Sequence, residues 1–138
     1  MNREKFEKVR KLGLPIGEYA IIGSGPLGIR NIRDIADIDM VVSSELQRVL
    51  AEKYGVTDNG KEKKIVFPGG EIEAFWEDSF ELPLVPIADT IREAEIIEGL
   101  PFQSLDQLIH FKQKIGREKD LNDIRLIKEW QERTQDKA

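Results

Sequence analysis

The sequence feature that most constrains the fold is a hairpin signal in the middle of the chain. Two strand-like runs, KKIVF and EIEAFW, flank Pro68-Gly69-Gly70. Because so short a turn joins antiparallel neighbours, the sheet cannot be built from parallel strands alone. Hydrophobic periodicity predicts the other elements, which are helices over 2–12, 25–31, 45–54, 88–93, 104–115 and 119–133, strands over 18–22, 37–43 and 94–98, and a loop with Pro83 and Pro86. We expect an α/β (α+β) fold, with helices flanking a small, mixed, partly antiparallel sheet.

The composition is that of an ordinary globular protein. The chain has 138 residues, of which 40% are hydrophobic and 34% are charged, and we expect one domain over 1–138 with a C-terminal helical segment over 104–134. No apolar run approaches the roughly 18 residues of a membrane span, and the charged N-terminus lacks the apolar core of a secretory signal. There is no cysteine, which excludes disulfides, thiolate metal sites and cysteine nucleophiles. We expect a cytoplasmic protein.

A glycine-rich stretch, IIGSGPLG, follows the first predicted strand. Its glycines at 23, 25 and 28 spell G-x-G-x-x-G, a pattern with which dinucleotide-binding folds hold a pyrophosphate at a helix N-terminus. Glu45 even has the spacing of the acid that binds the ribose in such folds. Two features disfavour this interpretation. The hairpin replaces a further parallel crossover, and the acids at 37 and 39 within an apolar strand stay unexplained.

Those two acids are the main chemical clue. Asp37 and Asp39 are two residues apart in the predicted strand DIDMVVS, so both carboxylates point to one face, roughly 6–7 Å apart along the strand. Carboxylates that converge repel each other unless a cation lies between them, and Mg²⁺ prefers such oxygen ligands. The plainer alternative is an exposed strand start whose acids pair with Arg30 or Arg33.

A third carboxylate is available in the second strand of the hairpin. Glu71 and Glu73 share one face of that strand. Glu73 is the better candidate because it is mid-strand between apolar residues, whereas Glu71 adjoins the turn and is expected to be solvated. The spacing leaves the choice between them open. If this strand lies beside 37–43, three carboxylates could form a two-metal site.

Taken together, these motifs resemble the nucleotidyltransferase superfamily with the polymerase-beta-like fold. The resemblance rests on Gly23-Ser24, then twelve residues, then Asp37-Ile38-Asp39 and a later strand acid. It is closest to the small bacterial and archaeal members known as minimal nucleotidyltransferases. The segment LDQLIHFKQKIGREKDLNDI is similar to their helical tail, with a lysine in one helix and Arg-x-Lys-Asp at the start of the next.

The resemblance implies a mechanism. Asp37 and Asp39 would hold two Mg²⁺ ions (Mn²⁺ is possible), with Glu73 binding one of them and able to act as general base. Gly23 would let the chain turn sharply, and Ser24 would offer its hydroxyl and backbone N–H to the phosphates of a nucleoside triphosphate such as ATP. The reaction would transfer a nucleoside monophosphate to an acceptor hydroxyl.

The resemblance also implies roles for the remaining motif residues. Lys112 and Arg117 are the candidates for neutralising the phosphates, with Lys119 a third, although each could be an ordinary charge on a helix surface. Gly25 and Gly28 would have no catalytic role, so the G-x-G-x-x-G match would be accidental.

The acceptor and the cellular role stay open at this level. Net charge is −5, and no basic stripe with interleaved aromatics is present, so a small molecule or a protein is favoured over nucleic acid as acceptor. Some small relatives act as the antitoxin of a pair whose toxin is a small helical ribonuclease-like protein. An antitoxin-like module that binds a partner, or a catalytically inactive relative, is therefore the alternative to an enzyme.

Overall fold

The computed structural model describes residues 2–79 and 86–135 and shows a mixed sheet flanked by helices. The strands are β1 (Tyr19–Ile22), β2 (Ile38–Val42), β3 (Thr57–Asp58), β4 (Lys63–Val66), β5 (Ile72–Phe75), β6 (Glu95–Ile97) and β7 (Leu100–Phe102). The helices are α1 (Asn2–Lys11), α2 (Gly25–Ile29), α3 (Ser44–Tyr54), α4 (Ile87–Arg92), α5 (Leu105–Ile115) and α6 (Glu118–Gln135), with a 3₁₀ turn at Glu77–Ser79. No described helix has the length and apolar character needed to cross a bilayer.

The sheet is mixed, as the sequence predicted. Its strand order is β3-β4-β5-β2-β1-β7-β6. The pairs β1–β2, β3–β4, β4–β5 and β6–β7 are antiparallel, while β2–β5 and β1–β7 are parallel. The hairpin of β4 and β5 is confirmed. Because β1 and β2 run antiparallel, the dinucleotide interpretation is wrong: that fold needs a parallel crossover between its first two strands.

Two strands were missed from the sequence, and the loop around Pro83 lies outside the described residues. β3 is a two-residue, fully exposed edge strand, so it carries no hydrophobic period. β7 contains Pro101, which argues against a strand on propensity. It forms because Glu98 and Gly99 both adopt positive φ, 51° and 80°, as a tight two-residue hairpin turn requires.

The helix boundaries follow from capping residues visible in the sequence. The Ser43 hydroxyl accepts the Leu46 N–H at the start of α3, and the Ser104 hydroxyl accepts the Gln107 N–H at the start of α5. α5 ends at Gly116, which takes the left-handed conformation at φ 66° that glycine adopts without steric cost.

The two faces of the sheet are covered differently. On one face α1 and α3 close the main core over Ile21, Ile38 and Met40. On the other face α4 packs through Ile87 on Ala20 and Val41. We call this second face the α4 face. Strand alternation puts Asp39 on the α4 face, with Ile38, Met40 and Val42 on the opposite one, as the sequence predicted.

Two of the three motif glycines serve packing. A Cβ on Gly25 would lie 2.3 Å from Ile21 Cγ2, and one on Gly28 would lie 2.8 Å from Ile35 Cδ1. Contacts this short cannot be accommodated without movement of buried side chains. The glycines therefore let α2 lie directly against β1 and the chain that leads into β2.

We expect Gly25→Ala to lower the free energy of unfolding by about 1–3 kcal/mol, the typical cost of overpacking a core. The same change in an Ile21→Ala background should cost less, because the alanine has no Cγ2 to meet the new methyl group. Urea denaturation of the four proteins measures this coupling. Strictly additive losses would contradict the packing explanation.

Candidate functional site

A row of polar side chains crosses the α4 face at one end of the sheet. Asp39 in β2 pairs in register with Ile22 in β1 on one side and with Glu73 in β5 on the other. Since β2 and β5 are parallel neighbours, Asp39 and Glu73 point to the same face about 5 Å apart at the backbone. Asp37 is exposed just before β2. The structure thus brings Asp39 and Glu73 together, with Asp37 close by in the chain.

The Gly-Ser turn lies against these acids. Gly23 follows β1 with φ +67°, and a Cβ there would lie 3.6 Å from Asp39 Oδ2, so the bare glycine keeps space open beside that carboxylate. The Ser24 hydroxyl donates to the Asp37 carbonyl oxygen at 3.4 Å. The turn and both acids, far apart in sequence, therefore meet at one place.

The electrostatics of this place disfavour an isolated negative charge. Burial, followed by the nearby charges of Glu73 and Asp37, raises the pKa of Asp39 from its ordinary 3.8 to about 6. The positive charge of Lys64 works in the opposite direction. A carboxylate whose ionisation is this costly is typical of functional sites that bind a cation.

Lys64 is a member of the site that the sequence analysis did not identify. Its Nζ lies 2.6 Å from Glu73 Oε2 and 3.3 Å from Glu62 Oε1, and these hydrogen bonds raise the pKa of Lys64, that from Glu73 most. The hairpin register could have identified it, because Val66 pairs with Glu73 and Lys64 shares the face of Val66.

The structure also separates the two candidate third carboxylates. Glu73 lies beside Asp39. Glu71 instead accepts a hydrogen bond from Lys8 Nζ of α1 at 2.9 Å, and its side chain is 43% exposed.

The plainer explanation of the paired acids does not hold. Arg30 forms its ion pair with Glu95 at 2.9 Å, and Arg33 pairs with Asp123 at 2.8 Å. Neither arginine neutralises the two aspartates.

The carboxylate oxygens of Asp37, Asp39 and Glu73 are chemically suited to bind a hard divalent cation. Carboxylate oxygens are the ligands that Mg²⁺ takes, and the Lys64 ammonium shows that Glu73 binds a positive charge here. Within residues 2–79 and 86–135, no three acidic or histidine side chains converge closely enough to enclose an ion. Glu73 is turned toward Lys64, so a metal ion bound by Glu73 would have to displace that lysine.

A cleft of about 270 Å³ opens on the α4 face beside Asp39. Its lining combines an apolar part with polar and small residues. The apolar part is Ile22, Val41, Phe75, Ile87, Phe111 and Ile115, and the remainder is Gly23, Asp39, Thr90, Gln103, Lys112, Arg117 and Asp120. The cleft thus extends from the glycine turn and Asp39 to the junction of α5 and α6.

The three predicted phosphate-binding cations differ in placement. Lys112 lines the cleft but is only 7% exposed, with its Nζ 3.0 Å from Asp123 Oδ2 and 3.7 Å from Asp120 Oδ1. Its charge is therefore balanced within the protein. Arg117 lines the cleft with a side chain 54% exposed, and its hydrogen bond to Asp120 holds the pKa of that carboxyl below its usual range. Lys119 is exposed and lies outside the cleft lining.

Comparison with known proteins identifies the fold. No protein-family model matches the chain, and no curated protein matches it. Among solved structures, it is similar to the crystal structure of a Thermotoga maritima protein named "putative nucleotidyltransferase", with a TM-score of 0.54 and 16% sequence identity over 96% of each chain. The resemblance predicted from the motifs is thus matched in the fold, and the chain has a nucleotidyltransferase-like fold.

Because the charge of Asp39 is costly, we expect Asp39→Asn to stabilise the folded protein by an amount that depends on pH. Above pH 6 Asp39 is ionised in both the folded and the unfolded chain, but its charge is unfavourable only in the folded chain. The substitution should therefore raise the free energy of unfolding by about 2–3 kcal/mol. The stabilisation should shrink as the pH falls through 6 and disappear only near pH 3, below both pKa values, where the carboxyl is protonated in both states. Urea denaturation in EDTA from pH 3 to 8 measures this difference.

Asp34→Asn, which alters an exposed acid, is the matched control and should change stability by less than about 0.5 kcal/mol. Equal stability of Asp39→Asn and wild type at pH 8 would contradict this account of Asp39.

Proposed function

We propose that this protein is a metal-dependent nucleotidyltransferase that transfers a nucleoside monophosphate from a nucleoside triphosphate to an acceptor hydroxyl. The observation that carries the proposal is the meeting of the Gly23-Ser24 turn with Asp39 and its strand neighbour Glu73 beside one cleft, which Gly23 and Asp39 line. The nucleotidyltransferase-like fold supports it independently.

Each residue of the site has a separate role in the proposed reaction. Asp37, Asp39 and Glu73 would hold Mg²⁺, or Mn²⁺ in its place. When bound, such ions activate an acceptor hydroxyl and stabilise the leaving pyrophosphate. Gly23 leaves room for a phosphate oxygen beside the backbone, and Ser24 has a hydroxyl at the same turn.

The transfer itself is a single displacement. A bond forms between the acceptor oxygen and the α-phosphorus, and the bond from that phosphorus to the bridging oxygen of pyrophosphate breaks. Glu73 accepts the hydroxyl proton once Lys64 no longer occupies its carboxylate. The exposed Arg117 guanidinium at the rim of the cleft neutralises phosphate charge, whereas Lys112 acts by holding the cleft wall in place.

The acceptor is a small molecule or a protein side chain. Net charge is −5, and of the three predicted phosphate-binding cations one is buried in ion pairs and one lies outside the cleft lining. A nucleic acid duplex needs a broader positive surface than this.

The decisive experiment is a thermal-shift titration of the purified protein with each Mg–nucleoside triphosphate. Ligand at about 100 times its Kd should stabilise the native state by roughly 2.7 kcal/mol, which gives a visible rise in Tm. Asp37→Ala combined with Asp39→Ala should fold and lose that rise, because the charges that hold the metal are gone.

The exposed Asp34→Ala should keep the full shift. A wild-type protein that responds to no Mg–nucleotide would overturn the proposal and favour the partner-binding or inactive alternatives. A double variant that responds like wild type would show that the site is elsewhere.

The ion pair of Lys64 with Glu73 predicts competition with the metal. In Lys64→Ala, Mn²⁺ should bind the nucleotide-free protein about fivefold more tightly, because an ion pair worth about 1 kcal/mol no longer has to open. Electron paramagnetic resonance of free Mn²⁺ measures the affinity directly.

Lys63→Ala is the matched control, since this neighbouring lysine is exposed and points to the other face of β4. It should leave Mn²⁺ affinity unchanged. Weaker Mn²⁺ binding in Lys64→Ala would mean that the lysine supports the metal site instead of competing with it.

A further inference from the structure

Gln103 lies in the cleft as a direct continuation of the row that contains the acids. It follows β7, and its backbone N–H donates to the Ile21 carbonyl oxygen at 2.8 Å. Phe102 before it points into the main core, so strand alternation places Gln103 on the α4 face, level with Ile22. Ile22 in turn pairs with Asp39.

The side-chain amide of Gln103 is poised for a ligand. The residue is 4% exposed and lines the cleft, and none of the described residues forms a hydrogen bond with its amide. Two other polar groups of the cleft are engaged within the protein: Thr90 Oγ1 donates to the Pro86 carbonyl oxygen, and Asp120 binds Arg117 and Lys112. An amide offers a donor beside an acceptor, so this side chain can form two hydrogen bonds to a ligand that enters the cleft.

The spacing matches a nucleotide. Gln103 and Asp39 are two strand positions apart across β1, roughly 10 Å. A nucleotide can bridge this distance, with its α-phosphate at the acids, its base at Gln103 and its ribose between them. Ile22, Ile87 and Phe111 provide apolar surface in the cleft between the two ends.

We propose that Gln103 is the specificity-determining residue that selects adenine as the base of the triphosphate; this rests on the proposed function. An amide presents a donor beside an acceptor, and the adenine amino group beside a ring nitrogen is its complement. Guanine has additional polar edge groups that would be buried here without partners, which is unfavourable. Pyrimidines offer less area to the apolar walls.

The test compares Mg–ATP, Mg–GTP, Mg–CTP and Mg–UTP by isothermal titration calorimetry. The wild-type protein should bind Mg–ATP roughly five- to hundredfold more tightly than the others, the range of one good bidentate contact. Gln103→Leu should bind Mg–ATP as weakly as the other nucleotides, with its affinity for those unchanged. Gln113→Leu, an exposed glutamine on α5, is the matched control and should behave like wild type.

A ligand-side measurement keeps the test independent of how the variant folds. Purine riboside triphosphate lacks the amino group of ATP, so the wild-type protein should bind it as weakly as Gln103→Leu binds Mg–ATP. Combining the analogue with the variant should give no further loss.

The outcomes separate the two proposals. Binding of all four nucleotides with equal affinity, a preference for another base, or an ATP preference that survives in Gln103→Leu overturns the role of Gln103 and leaves the nucleotidyltransferase proposal standing. No binding of any Mg–nucleotide to the wild-type protein overturns both.

Discussion

The site depends on the pairing of β2 with β5, because that pairing puts two carboxylates side by side. Asp39 and Glu73 occupy matching positions on parallel strands, and the partial burial of Asp39 makes its charge costly. Lys64 reduces the repulsion by binding Glu73 from the next strand. In the proposed function, a metal ion bound by Glu73 would take the place of this lysine as the cation of the site.

The wall of the cleft is held by buried charge. Asp123 in α6 receives both Lys112 from α5 and Arg33 from the segment before β2. One carboxylate therefore joins the helical tail to the chain that leads into the acids. Breaking such a buried pair leaves an uncompensated charge, so the orientation of α5 and α6 relative to the sheet is strongly determined. Asn2 braces the same segment from α1, since its side chain bonds to Gly28, Arg33 and Ile35 backbone groups.

The glycine motif combines two unrelated requirements. Gly23 takes a positive φ and leaves space beside Asp39, whereas Gly25 and Gly28 allow close packing of α2. A dinucleotide fold also needs a turn glycine and a packing glycine next to its phosphate site. The same glycine spacing therefore arises from similar local requirements in a different topology, in which the second strand runs antiparallel to the first.

The sequence by itself determined the elements and the residues with the chemistry. Alternation placed Asp39 opposite the core, capping serines set the helix starts, and the proline-glycine turn required an antiparallel pair, because each of these depends on a few neighbouring residues. Only the tertiary structure decided which distant groups meet. It brought Lys64 to Glu73, turned Glu71 toward Lys8, buried Lys112 between two acids and placed Gln103 in the cleft. These outcomes depend on strand order and helix docking, which bring together residues far apart in the chain and leave no local pattern in the sequence.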